Sequence, residues 1–205
     1  MTTVGRWSPN KVRARVLDGT WVSPEELGGM VLLTPTSIAY TGTSGTINTN
    51  GSVEFASVTA LRLNGVFSAD YDNYLVNMRF STTGGTAIQF RLSSGGTDNA
   101  TASSYVRQYI DADGSTVSAV RQSNSEWPLT YAYGVQRAGA EISFYGPHLA
   151  QPTAVRAVHV GDVYGAGMTD IAGTHNQSAS YDGFYFWPSA YILSGLVSVY
   201  GLVGA

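Results

Sequence analysis

Three groups of residues in this chain could do chemistry: neighbouring carboxylates, three histidines, and aromatics set among amides and acids. Asp70-Tyr71-Asp72-Asn73 puts two acids two positions apart. Glycoside hydrolysis needs carboxylates on opposite sides of the scissile bond, which neighbours on one extended segment cannot supply. A polar turn bonded to its own backbone is expected instead. Asp111-Ala112-Asp113-Gly114-Ser115 begins like a calcium loop, but Gln122 stands where the twelfth-position glutamate belongs, so a hairpin turn is the reading. His148, His159 and His175 lie at no short ligand spacing, and there is no cysteine. No metal or other cofactor is expected. No G-x-S-x-G elbow occurs, and Gly165-Ala166-Gly167 lacks the lysine of a phosphate loop. No residue is singled out as catalytic.

The aromatics suggest binding. Trp127-Pro128, Tyr131 and Tyr133 crowd one stretch, while Tyr181, Tyr185 and Trp187 crowd another, with Asn176 and Asp182 nearby. A sugar offers an apolar ring face together with a rim of hydroxyls, so rings flanked by carboxylates and amides suit it. Trp127, Tyr131, Tyr133, Asn176, Asp182, Tyr185 and Trp187 are therefore the candidate contacts, on loops over a rigid scaffold. The competing role for each is packing in a core or a subunit interface, to which tyrosine and tryptophan are equally suited.

The scaffold shows in the alternation. In residues 74–81, Tyr74, Val76, Met78 and Phe80 share a face opposite Leu75, Asn77 and Arg79. In residues 87–93, Ile88, Phe90 and Leu92 oppose Gln89, Arg91 and Ser93. Period two with one apolar face predicts half-buried antiparallel strands, and Gly84-Gly85 between them predicts a tight hairpin turn with positive φ. Further strands are predicted at 53–63, 105–110, 116–122, 141–145, 153–160, 181–187 and 196–200, with Asp113-Gly114 as a second hairpin turn. The fold class is all-β, an antiparallel two-sheet sandwich of jelly-roll type over residues 51–205. ISFYGP (142–147) and VSVYGL (197–202) are read as one device used twice, a tyrosine before a glycine bend.

Residues 1–50 have a different texture and read as an attachment segment. A hairpin is predicted around Asp18-Gly19, a short helical turn after Ser23-Pro24, a strand near 30–34, and a loop or linker at 41–51.

Composition excludes several functions. Net charge is -3, Lys11 is the sole lysine and the arginines are scattered, so no nucleic-acid surface is expected. No basic and then apolar segment follows Met1, and the apolar stretch 191–205 is broken by Ser and Gly and too short to span a bilayer, so neither export signal nor membrane insertion is expected. The Leu, Val and Tyr of the last dozen residues predict a face hidden by self-association, hence a homo-oligomer.

The ordered run LRLNGVFSADYDNYLV, FRLSSGGTD, ISFYGP, YDGFYF and SGLVSVYGL, over residues 53–203, resembles the C-terminal domain of minor tail and tail-fibre proteins of tailed bacteriophages. That resemblance implies an antiparallel β domain, usually trimeric, on a virion tail tip or fibre, that attaches to a host-surface glycan without catalysis. It transfers no catalytic or ligand residue. Neither a Gly-X-Y nor a heptad stalk is present, so residues 1–50 are expected to hold other virion tail or capsid proteins. The alternatives are a purely structural capsid-decoration or tail-tip protein and, last, a polysaccharide depolymerase.

Overall fold

The computed structural model describes residues 29–113, 115–132, 137–160 and 167–203, and all its regular elements are antiparallel strands. In chain order they are β1 (Gly29–Leu33), β2 (Ser37–Ile47), β3 (Val53–Asn64), β4 (Asn73–Thr82), β5 (Thr86–Ser94), β6 (Thr97–Asp98), β7 (Tyr105–Asp113), β8 (Thr116–Asn124), β9 (Trp127–Ala132), β10 (Ala138–Tyr145), β11 (Gln151–Val160), β12 (Met168–Ala179), β13 (Gly183–Pro188) and β14 (Leu193–Val203). The predicted hairpin around Asp18-Gly19 and the helical turn after Ser23 lie outside the described residues.

One sheet curls over to make two facing layers. The first runs β2–β3–β13–β5, with β9 and β6 on the far edge of β5. The second runs β14–β4–β10–β11–β12–β7–β8, with β1 beside β14. β3 belongs to both: Val53–Val58 pairs with β14, and Leu61–Leu63 with β13. Within the first of these halves Ser57 has a φ of 50°, where the register with β14 shifts between Leu193 and Gly195. Side chains of alternate positions point between the layers, as pleating requires. Phe144 of β10 meets Phe67, Phe184 and Trp127 at ring separations of 5.6, 5.9 and 6.3 Å, and Phe90, Phe184 and Phe186 stack beside them. Each fully buried ring contributes roughly 1.5–3 kcal/mol of transfer free energy. The predicted sandwich is the observed architecture.

Several local expectations are corrected. β4 and β5 do not form a hairpin: β4 pairs with β10 and β14, β5 with β13 and β9, so residues 83–85 cross between layers. A one-faced strand packs equally well on either side of a core, and alternation does not name its partner. Gly84 is not in the positive-φ region; a Cβ there would lie 2.6 Å from the Tyr191 ring, so close approach is what it provides. The second predicted hairpin does form: β7 and β8 pair from Tyr105↔Asn124 through Asp113↔Thr116. Residues 41–47, expected as loop, are strand in β2, and both β1 and β2 pair with the body. Tyr145-Gly146 is a bend, with φ +67° at Gly146, whereas Gly201 sits inside β14 and makes room for the Tyr71 ring, 2.5 Å from where its Cβ would be. β14 is an interior strand whose Leu193, Val197 and Val199 are buried in the chain's own core, while Leu196, Tyr200, Leu202 and Val203 are half-buried.

Candidate functional site

Across the outer surface of the first layer a single row of residues is in register: Ala39 of β2, Arg62 of β3, Tyr185 of β13 and Arg91 of β5. The local sequences explain it. Leu61-Arg62-Leu63, Phe90-Arg91-Leu92 and Phe184-Tyr185-Phe186 each bury their outer members and turn the middle one away from the core. Trp187, two residues along β13, joins the row: its ring stacks on Tyr185 at 4.9 Å and 26°. The Arg62 guanidinium lies 4.9 Å over the Tyr185 ring, and that of Arg91 lies 4.9 Å over Trp187. Such cation–ring contacts are worth about 0.5–1 kcal/mol at a surface and more where water is excluded.

Asp98 of β6 ties the arginines together, accepting from Arg62 Nη2 at 2.6 Å and from Arg91 Nη1 at 3.1 Å. Arg91 also donates through Nε to the Ser125 carbonyl at 3.0 Å and through Nη2 to Glu126 at 3.1 Å. Burial works against its charge, yet the bonds to Asp98 and Glu126 outweigh that and hold its pKa above the ordinary value. Beside this wall, Ala39, Thr41 and Ala60 supply a floor of small side chains, and the cleft between has a volume of about 310 Å³. That is at the lower end of ligand-sized pockets. With guanidinium and carboxylate on one wall and a tyrosine ring beside them, it can hydrogen-bond and stack against a small polar molecule.

Of the residues selected from sequence, Tyr185 and Trp187 are the two that come together here among the described ones. They are on a central strand and not on a loop. Trp127 is wholly inaccessible: its Nε1 donates to the Val106 carbonyl at 3.1 Å, and its ring meets Tyr105 edge-on at 4.8 Å. The stretch read as an aromatic loop is strand β9, buried on nearly every residue and packed between the layers. Tyr131 is half-buried and accepts from Nη2 of the buried Arg107 at 2.9 Å, so it serves an interior bond. Tyr133 lies outside the described residues. Asn176 is exposed on β12 in the other layer, where its Oδ1 accepts from Gln177 at 2.8 Å. Asp182 precedes β13 and accepts from the Gly95 amide at 3.0 Å, fixing the β5–β6 turn.

Several other titratable groups bond within the fold. Tyr74 gathers residues 68–73: its hydroxyl is 2.8 Å from the Ser68 amide and from the carbonyls of Ser68 and Tyr71, while Asp70 bonds Ser68 Oγ. The self-bonded turn expected around Asp70 is present, organised by a tyrosine. Asp111 accepts from Thr169 across the sheet. His175 bonds the Tyr181 hydroxyl at 2.7 Å and stacks on Tyr105, while His159 lies beside Tyr131. Burial pushes both imidazoles down to about 4. Among the described residues no group of three or more His, Asp or Glu is placed to hold a metal ion.

Arg62, Arg91 and Asp98 were missed as site residues. For the two arginines the signal was present in the sequence, since a charged residue between two large apolar ones on a strand is aimed out of the core; Asp98, between Thr97 and Asn99, carries no such mark.

A comparison with protein-family models gives no match, and a comparison with curated proteins gives none. Among solved structures, the chain is similar to domain 4 of AbnA, an extracellular arabinanase of the GH43 class from Geobacillus stearothermophilus in complex with arabinotriose. The TM-score is 0.36 at 11% identity, over 85% of this chain and 94% of that one. It is also similar to the binding domain of botulinum neurotoxin serotype G, with a TM-score of 0.20 at 9% identity, over 82% of this chain and 43% of that one. Likenesses this distant carry no argument about what the cleft holds.

Proposed function

We propose that this chain is a virion structural protein of a tailed bacteriophage, a tail-fibre or minor tail component, that attaches to a host-surface glycan without catalysis. The observation that carries the binding reading is the outward row Arg62–Tyr185–Arg91 with Trp187, beside a cleft of about 310 Å³. The phage setting rests on the ordered sequence landmarks. Non-catalytic adsorption fits the carboxylates: Asp98 and Glu126 are both held in ion pairs with arginine, and Asp70 belongs to a self-bonded turn. A single shallow site binds weakly, and several copies on one particle would raise the effective concentration. The experiment is adsorption inhibition: purified protein pre-incubated with host cells should slow phage attachment, and no slowing at saturating protein refutes host binding.

One observation favours the purely structural reading. On the outer face of the second layer, Val160, Met168, Ala112 and Val117 lie in one cross-strand row and Ile110 in the next; Ile110, Val117, Val160 and Met168 are each more than half exposed. Such a patch suits a protein neighbour. Locating the protein on the particle by labelled-antibody electron microscopy separates the two: a head-surface position with no effect on adsorption supports decoration.

A further inference from the structure

We infer that the chain pairs with a second copy of itself along β8, antiparallel about a two-fold axis, so that the sheet runs unbroken through both. This contact is independent of the glycan reading above. β8 ends the second layer: among the described residues it pairs with β7 alone, so the backbone groups along its other side meet no strand. An open edge is a template for another strand, and folded chains blunt it with proline, bulges, shortness or lysine. The other described edges are blunted in these ways. β6 has two residues and β1 five, β9 is buried and carries Pro128 and a register shift, and β2 is broken by the bulge at Thr41/Gly42. β8 carries none of these devices. It has nine residues, no proline, no lysine and one charge, Arg121, and it pairs with β7 without a register shift. It also stands clear of the sandwich: every residue from Thr116 to Arg121 is exposed, so this chain covers neither face of that stretch. Among the described edges β8 alone is left open, and a copy therefore offers its own β8 as the complement. Identical strands paired antiparallel are related by a two-fold axis, which makes the contact isologous and closes the assembly at two. Full overlap sets Thr116 against the partner's Asn124, Val120 against its own counterpart and Arg121 against the partner's Ala119, so no like charges are opposed. Nine residues at about 3.4 Å each give a seam of roughly 30 Å. The apolar row of Val160 and Met168 stays uncovered on the outer face.

Sedimentation velocity on the full chain from about 1 to 100 μM should show monomer and dimer in equilibrium with no larger species. Val120→Lys sets two ammonium groups against each other at the axis and should weaken dimerisation at least about tenfold, with the near-ultraviolet circular dichroism unchanged. A second, conservative variant uses the chain's lack of cysteine. Directly opposed residues of an antiparallel pair lie about 4.5–5.5 Å apart at Cα, within the span that a disulfide bridges. Val120→Cys should therefore give a linked dimer under mild oxidation, read on a non-reducing gel. Val117→Cys is the control. Val117 is 71% exposed against 37% for Val120, yet its counterpart would lie six residues along the seam, roughly 20 Å away, so it should link no faster than about a tenth as fast. A monomer at every concentration would overturn the pairing, and so would a trimer, which a two-fold seam cannot build. Val120→Cys linking no faster than Val117→Cys, or dimers undiminished by Val120→Lys, would overturn β8 as the seam. None of these results bears on adsorption inhibition, so the host-binding reading stands or falls separately.

Discussion

Trp127→Ala separates a packing tryptophan from a binding one. The ring is fully buried, edge-on to Tyr105 at 4.8 Å and to His175 at 6.1 Å, and tilted against Phe144 at 6.3 Å. Truncating a buried tryptophan to alanine costs about 3–5 kcal/mol, because transfer free energy is lost and a cavity remains. The Val106 carbonyl, now accepting from Nε1 at 3.1 Å, is left without its donor, adding about 1 kcal/mol. Against a total stability of roughly 5–15 kcal/mol this is a large share. At about 2–4 °C per kcal/mol for a chain of this size, the melting temperature should fall by about 8–24 °C. Scanning calorimetry and urea titration followed by near-ultraviolet circular dichroism measure it. A melting temperature within 2 °C of wild type, with host binding lost, would refute the core assignment and return Trp127 to the ligand surface.

Further predictions come from the turn, the buried histidines and the glycine under Tyr71. Tyr74→Phe removes the hydroxyl shared by the Ser68 amide and two carbonyls and should cost about 1–3 kcal/mol in urea unfolding; an unchanged midpoint would show that water replaces it freely. His159 and His175 have folded-state pKa values lowered to about 4, so the unfolded chain takes up protons first as pH falls below about 6.5. Stability should therefore be full above that pH and decline between about 6.5 and 4, by up to about 1.4 kcal/mol per pH unit for each ring, and His175→Gln should flatten the decline; a flat profile in the wild type contradicts the burial argument. Gly201→Ala would put a Cβ 2.5 Å from the Tyr71 ring and should lower the melting temperature by several degrees, while the same change at exposed, unobstructed Gly95, where only the positive φ resists it, should do less.

How much of this was legible depended on where each strand's other face points. β3, β4 and β5 bury one face and expose the other, and their alternation declares them. β9 (Trp127–Ala132) is buried on both faces and carries a proline, so it shows no period and reads as an aromatic loop. β12 (Met168–Ala179) turns Thr169, Ile171, Gly173 and His175 inward, a core face too polar to register as apolar. β2 (Ser37–Ile47) is an edge strand of small and polar residues with a bulge at Thr41/Gly42, which a search for apolar alternation passes over. For the site, residue type found Tyr185 and Trp187, while the partners that hold them come from β3, β5 and β6, distant in sequence. Only strand pairing brings Asp98 to both arginines, and no spacing in the chain encodes that.

The central claim is that the outward aromatic face of β13 meets the host. The direct measurement is adsorption inhibition by wild-type protein and by Trp187→Ala at equal concentrations of folded protein, with circular dichroism confirming that the variant is intact. Wild type should slow phage attachment and Trp187→Ala should slow it several-fold less. Equal inhibition by both, or none by either, would contradict the account.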